Sequence, residues 1–251
     1  MASSPPGACC HQGVKHEGPS VGEIKKIGDF EAYISYPKDK SSDNAVIILT
    51  DIFGHEFINS QLIADQFAAN GYFAIMPDLF NKDPVPDGAL EGKVPGFDLG
   101  KWLPGHQPPS IDRIVDATIV ELRTKYNTKK IGAAGYCFGA KYVVRHLRPD
   151  QGKIDVGYAA HPSFVEEDEL SDIKGPFSIA AAETDSIFPA EKRHKSEEIL
   201  AKVKQPYQVT LFSGVQHGFA ARGDITDKIQ KFAKEAAFLQ AVQWFDEYLK
   251  V

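Results

Sequence analysis

From Phe30 onward the chain alternates short apolar, often β-branched runs with amphipathic stretches of helical period, a rhythm that few architectures accommodate. Phe30–Tyr36 alternates as a strand does, and Ala45–Thr50 is the kind of continuous apolar run that a strand buried on both faces requires. Leu62, Ile63, Phe67 and Ala68 form a helical stripe within Asn59–Asn70, which Gly71 ends. Tyr72–Met76 then reads as a strand, and Ser110 reads as the N-cap of a helix over Ile111–Tyr126. Further strands are expected at Ile131–Ala134, Ile154–Ala160, Phe177–Ala182 and Tyr207–Phe212, with helices at Lys141–Leu147 and Glu191–Val203. A last helix over Ile229–Leu249 carries Phe232, Ala236, Leu239, Val242 and Phe245 on or near one face. Alternation at this frequency predicts one α/β domain over 21–251, a mostly parallel central sheet with helices on both faces. Such sheets place their reactive loops at the carboxyl ends of the strands.

Composition narrows the reading further. The 251 residues include 28 basic and 34 acidic side chains, a formal charge of −6, which argues against a nucleic-acid surface. No run reaches the roughly 18 apolar residues of a membrane helix, and the N-terminus has neither a basic start nor an apolar stretch of secretory type. Three cysteines, two of them adjacent, cannot support a disulfide framework, so a reducing, cytoplasmic location is expected. Residues 1–20, rich in Pro, Gly, Ser and His, read as a flexible arm. Cys9, Cys10, His11 and His16 fall within it, but vicinal cysteines fit a tetrahedral site awkwardly and no metal is expected there. Residues 78–109 carry many Pro and Gly and few periodic apolar residues, and are expected to form a cap over a pocket.

The strongest local signal is Gly135-Tyr136-Cys137-Phe138-Gly139, lying between a strand and a helix. This is the context of the G-x-S-x-G elbow, with Cys in place of Ser. The flanking glycines allow a tight turn that leaves Cys137 exposed at a helix N-terminus, where positive dipole favours a thiolate. The Phe138 N–H is then placed to hold an oxyanion. A lone free cysteine is more commonly a small buried apolar residue; the glycines and the strand–helix setting argue otherwise. Asp185 and His217 each follow an expected strand, completing the order nucleophile, acid, histidine. His161 also follows a strand and reads equally as pocket wall or structural residue, whereas His106, His146 and His194 read as loop or helix-surface residues.

These residues resemble the dienelactone hydrolase family of the α/β-hydrolases, most closely its fungal, cytosolic branch, over nearly the whole chain. The carriers are Thr50-Asp51-Ile52-Phe53-Gly54, Met76-Pro77-Asp78-Leu79-Phe80, the cysteine elbow, Asp185 with Phe188-Pro189, and His217-Gly218-Phe219. The resemblance implies an α/β-hydrolase fold, hydrolysis of dienelactones or related small esters and lactones by a Cys-His-Asp triad through a thioester, and no cofactor. It further implies a second oxyanion donor at the Ile52 N–H. Asp51 stands where the bacterial type has a Glu that activates the cysteine, so Asp51 is expected to modulate Cys137 by accepting its proton or repelling its thiolate. Arg222 lies five residues beyond His217, near where the bacterial type holds a substrate carboxylate. The second arginine of the bacterial type would come from the 78–109 segment, which contains none; Lys101, or Arg113 just beyond, could substitute.

Phe53, Tyr136, Trp102 and Phe219 are further candidates for apolar walls, each also compatible with plain core. The expected partner is a small ester or lactone, with no nucleic acid and no membrane, in a monomer or homodimer. Two other readings share these residues. One is a thioesterase or general carboxylesterase on the same triad. The other is a non-catalytic binding protein using the Ile229–Leu249 helix as a docking face.

Overall fold

The structure is a computed structural model and describes residues 18–90, 92–149 and 154–250. The metal-ligating candidates Cys9, Cys10, His11 and His16, and most of the N-terminal arm, lie outside the described residues. Eight strands build one sheet: β1 (Glu23–Ile27), β2 (Phe30–Ser35), β3 (Asn44–Leu49), β4 (Phe73–Pro77), β5 (Lys130–Tyr136), β6 (Val156–Ala160), β7 (Phe177–Thr184) and β8 (Tyr207–Gln216). Their order is β1-β2-β4-β3-β5-β6-β7-β8. β1 and β2 form an antiparallel hairpin, β2 pairs antiparallel to β4, and every pairing from β4 to β8 is parallel.

Helices cover both faces: α1 (Ile58–Ala69), α2 (Leu99–Trp102), α3 (Pro108–Thr124), α4 (Gly139–His146), α5 (Glu167–Ser171), α6 (Ala190–Val203), α7 (Phe219–Arg222) and α8 (Lys228–Tyr248). β3 shows why the central strands must be continuously apolar. Ala45, Ile47 and Leu49 join the core under α3, α4 and α6, while Val46 and Ile48 join the core under α1 and α8. Burying each such isoleucine contributes about 1.5–3 kcal/mol. Because β3, β5, β6, β7 and β8 run parallel, the loops that follow them open at one edge of the sheet.

Three expectations change. The 108–124 helix starts two residues before Ser110 and one residue after its N-cap, Gln107. Pro108 takes the first helical position, where a missing N–H costs nothing, and the Ser110 hydroxyl donates to the Gln107 carbonyl. α8 is rotated from the expected stripe: Phe232 and Leu239 are 68% and 45% exposed, while Ala233, Ala237, Phe238, Ala241, Trp244 and Phe245 face the sheet. The alanines decide this, because small side chains let the helix axis approach closely. β8 runs to Gln216 rather than ending at Phe212, through an irregularity in its pairing with β7. Gly214 supplies the positive φ of 70° there, and its N–H donates to the Glu183 carboxylate at 2.7 Å. This extension delivers His217 to the rim.

Candidate active site

The elbow is built as its glycines require. Cys137 has φ 50°, in the left-handed region that costs a side-chain-bearing residue about 1–3 kcal/mol. A Cβ on Gly135 would lie 2.7 Å from the Ala140 backbone, and one on Gly139 would collide with the Leu49 carbonyl. Neighbouring strand ends fasten the turn. The Cys137 N–H donates to the Ala160 carbonyl at 3.1 Å, and the Gly139 N–H donates to the Thr50 carbonyl at 3.0 Å. Among the described residues, neither the Phe138 nor the Ile52 N–H is spent on a hydrogen bond.

Three residues from three strand ends meet here. His217 Nε2 lies 3.0 Å from Cys137 Sγ, and His217 Nδ1–H donates to Asp185 Oδ2 at 2.8 Å. Asp185 Oδ1 accepts the N–H groups of Ile187 and Phe188. Burial alone would raise the Asp185 carboxyl, but His217 and these two N–H donors outweigh it and hold the group below the usual range. Burial would likewise lower His217, yet Asp185 and Cys137 push it up to about 9. These partners favour the imidazolium form, and His217 Nε2 is aimed at sulfur.

Asp51 is not joined to Cys137. Its Oδ1 accepts the Phe53 N–H at 3.1 Å, and its Oδ2 lies 3.3 Å from Arg222 Nε. The side chain is one methylene shorter than the bacterial Glu, and the guanidinium draws it the other way. Burial raises the Asp51 carboxyl; Arg222, the Phe53 N–H and His217 oppose this without cancelling it. Arg222 also stacks 4.7 Å from the Phe53 ring centroid. Lys101 pairs with Asp98 and Arg113 with Asp29, and both stay on the outer surface.

The remaining candidates sit as follows. Tyr136 and His161 are buried, with ring centroids 6.2 Å apart. His161 also meets His217 edge-on at 5.0 Å, and burial holds it well below the usual histidine range. Phe219 packs against His161 at 5.7 Å. Trp102 donates its indole N–H to the Asp83 carbonyl and stacks on His106, and Phe80 bridges this pair to Phe138. His106 is thus buried, and so is His146, whose Nδ1–H donates to the Tyr142 carbonyl from inside α4. Both departures have one reason: an i−4 carbonyl satisfies one ring nitrogen and lets the ring pack inward. Ser163 is a residue that sequence reasoning missed. Its hydroxyl lies 3.5 Å from Cys137 Sγ and its N–H donates to the Cys137 carbonyl. Its position in the loop after β6, two residues past His161, was the available signal.

A parallel sheet, a strained cysteine elbow and a histidine–aspartate pair at one rim define an α/β-hydrolase. Solved structures agree on the fold: a candidate dienelactone hydrolase from Klebsiella pneumoniae superposes with a TM-score of 0.74 at 16% identity, covering 91% of this chain and 99% of that one. The model of the dienelactone hydrolase family matches residues 30–249, and the chain belongs to that family. It is 55% identical to "Hydrolase tropI" of Talaromyces stipitatus, over 100% of this chain and 99% of that protein. It is 34% identical to "Dienlactone hydrolase 1" of Gibberella moniliformis, over 99% and 96%. The chain is a hydrolase acting on esters. No helix among the described residues is long and apolar enough to cross a membrane.

Proposed function

We propose that this hydrolase cleaves small esters or lactones through a thioester, with Cys137 as nucleophile, His217 as proton carrier and Asp185 as the group that orients His217. The observation that carries this reading is the unbroken hydrogen-bonded line from Cys137 Sγ through the imidazole to the Asp185 carboxylate. The thiolate adds to the carbonyl carbon, and the carbonyl electron pair becomes an oxyanion that accepts from the Phe138 and Ile52 N–H groups. Collapse expels the alkoxide or enolate, which takes the proton from His217 Nε2. The neutral imidazole then removes a proton from water, hydroxide attacks the thioester, and the thiolate leaves as the carboxylic product forms.

Around that centre Arg222 holds a carboxylate on the substrate, and Asp51 holds Arg222 in place. A capping role for the 78–109 segment is supported by two of its residues: Phe80 stacks on Phe138 and the Val85 N–H donates to the Ile52 carbonyl. A groove lined by Ser163, Phe164, Ile187 and Phe188 gives the body of the substrate room beside the nucleophile. The test is an acid quench during turnover of an activated ester, followed by peptide mass mapping. The acyl group should sit on the Cys137 peptide, and Cys137→Ala should abolish both adduct and turnover. Full turnover by Cys137→Ala would overturn the assignment.

A further inference from the structure

We propose that Cys137, His161 and His217 form a three-ligand site for a divalent cation of the zinc class, and that its occupation reversibly shuts off the hydrolase. The shut-off rests on Cys137 being the nucleophile; the binding does not. One ligand atom from each residue lies within 4.8 Å of the other two. A tetrahedral zinc ion wants its sulfur at about 2.3 Å and its nitrogens at about 2.0–2.1 Å. An ion between these three atoms needs Cys137 Sγ and His217 Nε2, now 3.0 Å apart, to part slightly and the His161 ring to shift toward it.

His161 is the observation that turns a hydrogen-bonded pair into a candidate site. It is fully buried, and neither ring nitrogen has a hydrogen-bond partner among the described residues. An unpartnered buried polar atom costs about 1–3 kcal/mol, and such groups call for an explanation. The His161 ring lies under the edge of His217 at a ring-centroid distance of 5.0 Å, on the floor of the cleft. A cation arriving between Sγ and His217 Nε2 would meet a ready nitrogen ligand there.

The donor set suits the ion. One thiolate and two imidazoles match a borderline-soft cation and leave its fourth position to water. Asp185 already grips His217 Nδ1–H at 2.8 Å, the carboxylate–histidine–metal arrangement that fixes a ligand's tautomer. Binding is a plain exchange. The cation replaces the proton shared by Sγ and Nε2, one proton is released to solvent, and nothing is oxidised. A sulfur lone pair held by the metal is unavailable to an ester carbonyl.

The test uses the full chain in a Cys9→Ser/Cys10→Ser background, so that the vicinal pair cannot contribute. Cobalt(II) should add in a 1:1 ratio, giving tetrahedral visible bands and a near-ultraviolet thiolate-to-metal band, and zinc(II) should displace it. Zinc(II) should also protect Cys137 from iodoacetamide. His161→Asn tolerates the left-handed backbone at this position, where φ is 38°. It should raise the half-protecting zinc concentration by more than about 100-fold, since even a lost outer partner of a metal ligand costs about 10–100-fold.

If His161→Asn does not fold, zinc-edge X-ray absorption of the loaded parent decides: one sulfur and two imidazoles support the site, and a single imidazole overturns it. No cobalt band and no protection in a protein that still turns over esters would remove the metal site and leave the hydrolase reading intact. A cobalt band in a protein whose metal-free form turns over no ester would do the reverse.

Discussion

Asp185 and Asp51 stand at the same edge of the sheet, each just past a parallel strand and each buried, yet their carboxyl groups are pulled in opposite directions. Asp185 accepts two backbone N–H groups and the His217 N–H. Asp51 accepts one N–H and faces a guanidinium at 3.3 Å without a well-formed hydrogen bond. Burial raises both, Asp51 being the more deeply buried of the two, and only Asp185 has enough donors to offset it. Position along a strand therefore brings a carboxylate to the rim, but the local donors decide in which direction its pKa moves.

The largest expected effect tests Asp185, the carboxylate held low. Asp185→Asn should lower kcat on the order of 10⁴-fold, because the amide cannot hold His217 in the required tautomer. A loss below tenfold would mean that Asp185 does not orient the histidine. Next comes Arg222→Gln, the partner of the Asp51 carboxylate. It should raise KM about 10–100-fold for an ester bearing a free carboxylate, as expected for a lost charged hydrogen bond, and leave a neutral ester unchanged. Equal effects on both esters would show that Arg222 is structural.

The pH dependence of stability separates the two carboxylates more finely. Asp185, held low, contributes stability that is present above its unfolded value near 3.9 and lost as pH falls through its folded one. Asp51, pushed up, contributes only below that unfolded value and loses its contribution as pH rises through the higher folded one. Denaturant melts between acid and neutral pH should therefore show a shallower rise with pH for Asp185→Asn and a steeper one for Asp51→Asn. At the alkaline end, His217 contributes stability below its unfolded value near 6.5 that is lost as pH rises through about 9. That decline should flatten in Cys137→Ala. The smallest effect is that of Asp51→Asn at pH 7, a stability change within about 1 kcal/mol. Its iodoacetamide profile should match the parent's, since Asp51 pairs with Arg222 and not with sulfur. A large rise in alkylation would restore direct control of Cys137 by Asp51.

Much of the fold was legible because its signals are local. The apolar runs of β3, β5 and β6 and the glycines around Cys137 act through backbone sterics and burial within a few residues. Gly135 and Gly139 stand where a Cβ would strike neighbouring backbone, so the motif declares its own geometry. Asp185 and His217 were legible for a related reason: parallel strands carry whatever follows them to a common edge. The face of α8 was not legible, because Phe232 and Ala233 satisfy a helical period equally well. Only the depth of the sheet surface selects the row of alanines.

The sequence by itself determined which residues could meet: the cysteine elbow, the order of acid and histidine, and the alternation that makes the sheet parallel. What the tertiary structure alone decided is which of them touch. Asp51 turns to Arg222, across 171 residues of chain, because a short side chain and a guanidinium settle that contact in space. Ser163 reaches sulfur, and His161 lies bare beneath His217, because β6 ends beside the elbow. Such contacts depend on distances of a few tenths of an ångström between segments far apart in sequence, and no local pattern of residues encodes them.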